Sequence, residues 1–351
     1  MKRRVFLKTL AAAGLYAGHP LIIPNASAAP VDPYRGKFFV TISADGGWDV
    51  TSFCDPKADS TINHWATSQS IQTISGSPIT YAPFAHNDRF FTEHHQKMLI
   101  INGIDNQTNA HEAGVRHTWS GKIGNGFPTF SALAAATLGP NLPLAYISNG
   151  GYKETAGITK YTLMQDPTAL NKLVFPNKFV DYDASGDWDP PKQYHRSEAL
   201  TLIQQAKMDR LSRLQADTAL SPKQQNGISD LLSARIGAEQ LEPLAQTMPT
   251  ELVDSVDIDG QWNPLMRQAQ IALASYQAGL TVSADLTLWG FDTHAIHDTD
   301  QATAIQMLQR GIDYLWAEAT NRGIDDKLVV FISSDFGRTP SYNDGEGKDH
   351  W

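Results

Sequence analysis

The sequence has one cysteine, Cys54, among its 351 residues. A single thiol excludes an intrachain disulfide, so packing, with or without a bound metal, must stabilise the fold. We interpret Cys54 as a small buried hydrophobic residue. Basic residues are also fewer than acidic ones. The chain has 28 Lys and Arg and 37 Asp and Glu, which gives a formal net charge of −9. This acidic balance argues against nucleic acid and anionic membranes as partners.

The N-terminal apolar segment lacks the length that spans a bilayer comfortably, and two glycines and Pro20 interrupt it. A basic head with the pair Arg3 and Arg4 precedes it, and small residues follow at 26–28. This pattern is typical of a twin-arginine signal peptide, which we predict over residues 1–28, and an N-terminal anchor is the alternative. We therefore expect export to the periplasm through the twin-arginine translocase, with no stable membrane anchor.

Short apolar runs that each end in a polar or glycine-containing segment predict buried parallel strands, and helical patterns lie between them. This alternation predicts an α/β domain over residues 29–351, with a mainly parallel central sheet flanked by helices. The composition of about residues 150–262 predicts a helical and loop insertion or cap. The predicted strands are 37–43, 98–102, 144–148, 280–289 and 328–333, and the predicted helices are 129–138, 197–220, 222–244, 264–278 and 299–322.

Ligands of such sheets gather outside the carboxyl ends of the strands, so the residues that follow each strand are the first candidates. Asp45 follows the first strand and precedes two glycines, which suits a metal or anion site, although a tight turn capped by Asp45 is the alternative. The loop after the second predicted strand carries Thr108, Asn109 and His111 and leads into a helix start, which favours an anion or an activated hydroxyl. A structural role is the alternative for His111.

The fourth predicted strand runs into a dense group of metal-binding residue types. Asp292, His294 and His297 fall within six residues after this strand. Imidazole nitrogens and a carboxylate suit zinc, manganese or iron, so we predict all three as metal ligands. The alternative is a helix N-cap at Asp298 with two incidental histidines.

The last predicted strand repeats the pattern. Asp335 follows it, and the planar fork of Arg338 suits a phosphate or sulfate, unless Arg338 simply pairs with Asp335. His350 lies at the end of the following loop. Parallel strands bring Asp45, Asp292, Asp335 and His350 to one edge of the sheet, which predicts a metal site there.

The order of these residues resembles that of the alkaline phosphatase and sulfatase superfamily. The leader, GFDTH at 290–294 and DFGRTP at 335–340 with the final DHW are similar to a bacterial branch of it, domain-of-unknown-function family 1501. The resemblance implies a Rossmann-like α/β sandwich that holds one or two divalent metal ions. The candidate metals are zinc, manganese, magnesium and calcium. Asp45 and Asp335 would hold one ion, and the second would be held by the remaining predicted ligands, Asp292, His294 or His297, and His350.

The resemblance further implies an exported metal-dependent hydrolase that acts on small phosphate or sulfate esters. Thr108 would occupy the nucleophile's place, and Arg338 would steady the anion. The alternative is a non-catalytic periplasmic module that binds a metal, a glycan, a partner protein or an envelope component. A third hypothesis is an export-pathway or maturation partner of another protein. Phe336 favours the non-catalytic module, because well-studied hydrolases of the superfamily have a histidine at this position, directly after the strand-end Asp. Three tryptophans also favour it, because aromatic faces suit sugars, namely Trp48, Trp119 and Trp289.

The sequence stops at Trp351, whereas the corresponding turn in the family it resembles feeds another strand. We therefore predict a truncated C-terminus. We also expect His350 to be poorly fixed in space, because it lies next to a free end of the chain.

Overall fold

The computed structural model describes residues 32–164, 174–175, 177, 193–217, 219–221, 224–225, 228, 241–249, 251–256 and 260–351. The predicted signal peptide at 1–28 lies outside the described residues, as does most of the predicted helix at 222–244.

A sheet of parallel strands lies at the centre of the described residues. The strands in chain order are β1 Phe38–Asp45, β2 Gln72–Thr73, β3 Thr80–Tyr81, β4 Tyr146–Ser148, β5 Thr162–Leu163, β6 Ser283–Trp289 and β7 Leu328–Ser333. Five of them form the parallel sheet in the order β5-β4-β6-β1-β7, and β2 pairs with β3 in a separate antiparallel ribbon. Strand β1 is buried along nearly its whole length, as expected of a strand within a parallel sheet that is covered on both faces.

Two of the helices make the main helical contacts with this sheet. The helices in chain order are α1 Asn87–His94, α2 His111–Ser120, α3 Phe130–Leu138, α4 Ser197–Gln215, α5 Glu242–Thr247, α6 Leu265–Gln277 and α7 His297–Asn321. Helices α3 and α6 both contact β6, and α6 also packs against α7. Ten of the thirteen residues of α6 are buried, so it lies within the core. No helix in this part of the chain is long and apolar enough to cross a membrane.

The structure confirms the mixed α/β class with a mainly parallel sheet. The predictions at 37–43, 144–148, 280–289 and 328–333 each overlap an observed strand. The prediction at 98–102 is wrong, because the structure has no strand there. Met98 and Ile100 pack against the core, whereas Leu99 is 83% exposed. A short apolar run therefore resembles a strand in the sequence although no strand pairing forms there.

Part of the predicted insertion at 150–262 belongs to the sheet. Strand β5 pairs in parallel with β4, and α4 begins at Ser197 as expected but ends at Gln215. The described residues between 32 and 351 belong to one compact unit. Cys54 is partly buried and packs against the main hydrophobic core.

The carboxyl ends of three adjacent strands, β6, β1 and β7, are level with one another. In the register of the sheet, Asp45 of β1 pairs with Trp289 of β6, and Ser43 pairs with Ser333 of β7. The loops that leave β1, β6 and β7 therefore start side by side. This edge of the sheet carries the site described next.

Candidate metal centre

Four side chains from three separate segments converge at the carboxyl edge of the sheet. They are His111, Asp292, His294 and His350, which we call the His3Asp cluster. Asp292 Oδ1 lies 3.0 Å from His294 Nε2 and 3.2 Å from His350 Nε2, and those two nitrogens are 3.0 Å apart. His111 Nε2 lies 3.5 Å from Asp292 Oδ2. One donor atom each of His111, Asp292 and His350 fall within 4.8 Å of one another, a grouping that can hold a metal ion.

The fold explains how these residues meet. His111 is the first residue of α2, and Asp292 with His294 lies in the loop between β6 and α7. His350 lies in the loop after β7, where it forms an antiparallel bridge with Arg338. About a quarter to a half of each cluster side chain is exposed, so a ligand can reach it from solvent.

The far nitrogen of each imidazole is held by an acceptor. The contacts are His111 Nδ1 with Asp335 Oδ2 (2.5 Å), His294 Nδ1 with Asp349 Oδ1 (2.9 Å) and His350 Nδ1 with Asn109 O (2.9 Å). Carbonyl and ionised carboxylate oxygens only accept, so each Nδ1 carries a proton. In the neutral ring this leaves the Nε2 lone pair directed at the cluster, which is how metal-binding histidines are commonly oriented.

The spacing of the donor atoms fits a divalent ion. Bonds of roughly 2.0–2.2 Å in a four-coordinate site place neighbouring donor atoms about 3.4 Å apart. Four separations between donor atoms of the His3Asp cluster are 3.0, 3.0, 3.2 and 3.5 Å, within a few tenths of an ångström of that value. The members whose donor atoms all lie within 4.8 Å of one another are His111, Asp292 and His350. Two facing Nε2 lone pairs also repel unless a cation or a proton lies between them. The donor set of three imidazoles and one carboxylate suits zinc or a similar divalent metal.

Buried Arg338 contacts the cluster through Asp292. Its side chain has no exposed surface, and its Nη2 atom donates to Asp292 Oδ1 at 2.6 Å. Burial alone would raise the pKa of Asp292, but the hydrogen bond and the charge of Arg338 help to lower it to about 2, so Asp292 is ionised at neutral pH. The guanidinium also donates to four backbone carbonyls, those of Gly46, Gly47, Phe291 and Lys348. Arg338 therefore faces the protein, and its acidic partner is Asp292.

Asp45 and Asp335 lie next to each other beneath the cluster. Both are buried, and Asp335 Oδ1 accepts from the backbone N of Gly46 at 3.2 Å. Burial raises the pKa of Asp45 to about 6, and the nearby charge of Asp335 adds to this, although Ser43 donates a hydrogen bond to Asp45. Asp335 contacts the cluster through His111.

Two other predicted site residues have different contacts. His297 is completely buried, with Nε2 at 2.9 Å from Asp49 Oδ2 and Nδ1 at 2.6 Å from Thr293 Oγ1. Both of its ring nitrogens are therefore used away from the cluster. Thr108 lies in the loop before α2, where its hydroxyl accepts from the backbone N of Ala110 at 3.1 Å.

His350 is better fixed than we expected from the sequence. In addition to the Asn109 contact, the backbone N of Trp351 donates to Gly337 O at 3.2 Å. The antiparallel bridge to Arg338 completes this attachment. The expectation of a loosely held His350 is therefore wrong for this structure, because the loop after β7 returns to its own beginning.

Comparison with protein families agrees with this sequence pattern. The family described as "Protein of unknown function (DUF1501)" matches residues 37–351, a span that includes the whole His3Asp cluster. The chain belongs to this family. No curated protein and no solved structure was found to match it. The family part of the resemblance is thus confirmed, and the link to the alkaline phosphatase and sulfatase superfamily remains a proposal.

His111 is the cluster member of this DUF1501 chain that sequence reasoning did not select as a ligand. The available signal was its place at a helix start after a predicted strand, beside Thr108 and Asn109. That signal is weak, because a histidine at a helix start is equally consistent with a structural role. Only the approach of Asp292 and Asp335 identifies it.

The three tryptophans that we considered for sugar binding lie in different environments. Trp289, three residues before Asp292, is 67% exposed. Trp48 packs against the hydrophobic core, and Trp119 Nε1 donates to Ser43 Oγ at 3.3 Å. Of the three, Trp289 offers the most aromatic surface to a ligand.

Proposed function

We propose that this protein is an exported metal-dependent hydrolase that cleaves phosphate or sulfate esters. The observation that carries the proposal is the convergence of three imidazole Nε2 atoms and Asp292, with each Nδ1 held by its own acceptor. A divalent metal bound by such donors acts as a Lewis acid and lowers the pKa of a bound water.

The residues of the chain divide the remaining tasks among them. His111, His294, His350 and Asp292 would hold the ion. Asp335 and Asp349 orient two of the imidazoles, as carboxylates beside metal-bound histidines commonly do. The ester class rests on the order of strand-end residues that resembles alkaline phosphatases and sulfatases, with Thr108 as the candidate nucleophile.

A second ion is part of the proposal. Asp45 and Asp335 would hold it, and their adjacent buried carboxylates support this. Two carboxylates that share a buried site repel each other unless one is protonated or a cation lies between them. Elemental analysis of the purified protein distinguishes one ion per chain from two.

Metal content and ester hydrolysis test the proposal together. We expect the wild-type protein to carry stoichiometric metal and to cleave an aryl phosphate or an aryl sulfate. Asp292→Asn and His111→Gln should lose both properties. His64→Gln is the matched control, because His64 Nδ1 lies 3.1 Å from Asp298 Oδ2 in a similar His-Asp contact outside the cluster. Metal-loaded protein that cleaves neither ester class, or His111→Gln with wild-type metal content, contradicts the proposal.

A second candidate function is a non-catalytic module that binds metal or a glycan. The engagement of Arg338 with Asp292 and four carbonyls favours it, because this guanidinium is not open to an anionic substrate. Exposed Trp289 offers an aromatic face of the kind that suits a sugar ring. Stoichiometric metal together with glycan retention and no hydrolysis would support this candidate over the first.

We also propose that residues 1–28 direct the protein to the periplasm through the twin-arginine translocase. Support comes from the basic head, the apolar segment and the small residues at 26–28. In a bacterial host, the wild-type protein should be shortened and periplasmic, whereas Arg3→Lys with Arg4→Lys should leave the precursor in the cytoplasm. Equal distribution of the two forms argues against this route.

A further inference from the structure

Next to the His3Asp cluster lies a buried group of charged and polar residues that the proposed chemistry does not use. The Lys348 side chain has no exposed surface, and its Nζ lies 2.6 Å from Asp49 Oδ2 and 3.2 Å from Asn63 Oδ1. His297 Nε2 lies 2.9 Å from the same Asp49 oxygen. We call Asp49, Asn63, His297 and Lys348 the Lys348 network.

The network is fully buried, which makes it costly unless its charges are well paired. Asp49 is 1% exposed, and His297 and Lys348 are 0% exposed. Burial alone would raise the pKa of Asp49, but hydrogen bonding to His297 and the charge of Lys348 hold it below the usual range. Apolar residues of similar volume often stabilise a core as well as a buried ion pair does. Buried pairs of this kind can instead select one arrangement of the segments that carry them.

The Lys348 network joins the two loops that carry His294 and His350. Lys348 lies two residues before His350, and its backbone N donates to Thr293 O at 3.1 Å, one residue before His294. Thr293 Oγ1 in turn lies 2.6 Å from His297 Nδ1. The side chains of the network and the backbone beside them therefore connect the same two loops.

These loops are in close contact beside the cluster. A Cβ atom on Gly347 would lie 1.9 Å from His294 O, so only glycine permits this approach. Asn343 Nδ2 donates to the same carbonyl at 3.0 Å. The relative position of His294 and His350, whose Nε2 atoms are 3.0 Å apart, depends on how these two loops are held.

We propose that Lys348, Asp49 and His297 are positioning residues that hold the His294 loop against the His350 loop at the spacing that a metal requires. The metal part of this inference rests on the proposed function. Asp49 is itself fixed, because its Oδ1 accepts from the backbone N of Thr51 at 2.9 Å and from the Thr51 hydroxyl at 2.6 Å. The network thus anchors both loops to the segment after β1.

Two measurements on the full chain test the inference. The first is hydrogen exchange of residues 292–297 and 348–351 in metal-free protein. The second is Zn²⁺ affinity by competition with a chelator. We expect Lys348→Met to raise exchange in both loops and to weaken Zn²⁺ binding by roughly 10–100-fold, as is common when a residue that orients a metal ligand is removed.

Two further variants separate positioning from general destabilisation. Asp49→Asn combined with Lys348→Met removes both buried charges, so it should fold even if Lys348→Met alone does not, yet it should still bind Zn²⁺ weakly. Arg322→Met disrupts the partly buried Arg322–Glu318 pair elsewhere and should leave Zn²⁺ affinity unchanged.

The outcomes distinguish this inference from the proposed function. Wild-type Zn²⁺ affinity in the double variant, or unchanged exchange in both loops, overturns the positioning role. Failure of the wild-type protein to bind Zn²⁺ overturns the proposed metal centre. In that case, faster exchange of both loops in the double variant would still support positioning.

Discussion

Replacement of Arg338 by methionine should affect both stability and the metal centre, because Arg338 joins the two. The change keeps a long apolar stem and removes the guanidinium. Asp292 loses the contact at 2.6 Å that holds its carboxylate in place. The carbonyls of Gly46, Gly47 and Lys348 lose a donor within the buried edge of the sheet. The carbonyl of Phe291 keeps another donor, because Gln301 Nε2 also reaches it at 2.8 Å.

The size of the stability loss follows from this inventory. A buried acceptor left without its partner costs about 1–3 kcal/mol. Three such carbonyls at the lower end of that range give a loss of roughly 3–5 kcal/mol in the free energy of unfolding. We add nothing for the ion pair, because the Asp292 side chain is 48% exposed and its charge is screened by solvent. A loss of this size is a large fraction of the typical stability of a domain, which is about 5–15 kcal/mol.

Urea unfolding and Zn²⁺ competition measure the two effects of Arg338→Met. Arg322→Met is the matched control, because Arg322 donates to Glu318, to Thr247 O and to Gln277 Oε1 away from the site. Both variants should lose stability, and only Arg338→Met should weaken Zn²⁺ binding. A loss below about 1 kcal/mol for Arg338→Met, which is less than one unsatisfied carbonyl, would refute the reasoning.

Two further predictions concern pH and backbone contact. Burial raises the pKa of Asp285 to about 6 despite hydrogen bonds from neighbouring hydroxyls. The folded state therefore keeps this proton up to a higher pH than the unfolded state does. The free energy of unfolding, measured with urea, should therefore fall as pH rises from about 4 to 6. Asp285→Asn should make this decline shallower. If the decline is unchanged in the variant, Asp285 is not its source. Gly347→Ala should weaken Zn²⁺ binding, because its Cβ would overlap His294 O, whereas Gly337→Ala in the same loop meets open space and should bind as wild type. Equal affinities of the two glycine variants would contradict this.

The fold class was predictable because its signals are local. Apolar runs and helical periodicity identified β1, β4, β6 and β7 and placed α3, α6 and α7 within a few residues. The prediction at 98–102 failed because a short apolar run does not reveal whether a neighbouring strand exists to pair with it. Hydrogen bonding between strands is a property of the tertiary structure.

The candidate site was predictable in its location and less so in its members. The rule that ligands gather at the carboxyl edge correctly brought Asp292, His294 and His350 together. It could not separate His294 from His297, because both follow the same strand and only their surroundings differ. His297 enters the buried Lys348 network, whereas His294 faces the cluster.

The sequence by itself determined the mixed α/β class, four strands of the parallel sheet, the family, and the edge of the sheet at which the polar residues collect. These properties follow from hydrophobic patterning and from the fact that parallel strands end on one side. The tertiary structure alone decided that His111 joins the cluster, that Arg338 supports Asp292, and that Asp335 orients an imidazole. Each of these contacts joins residues far apart in the chain, such as His111 and Asp335, which are 224 positions apart. No local pattern encodes such a distance, because it depends on how the whole sheet brings its loops together.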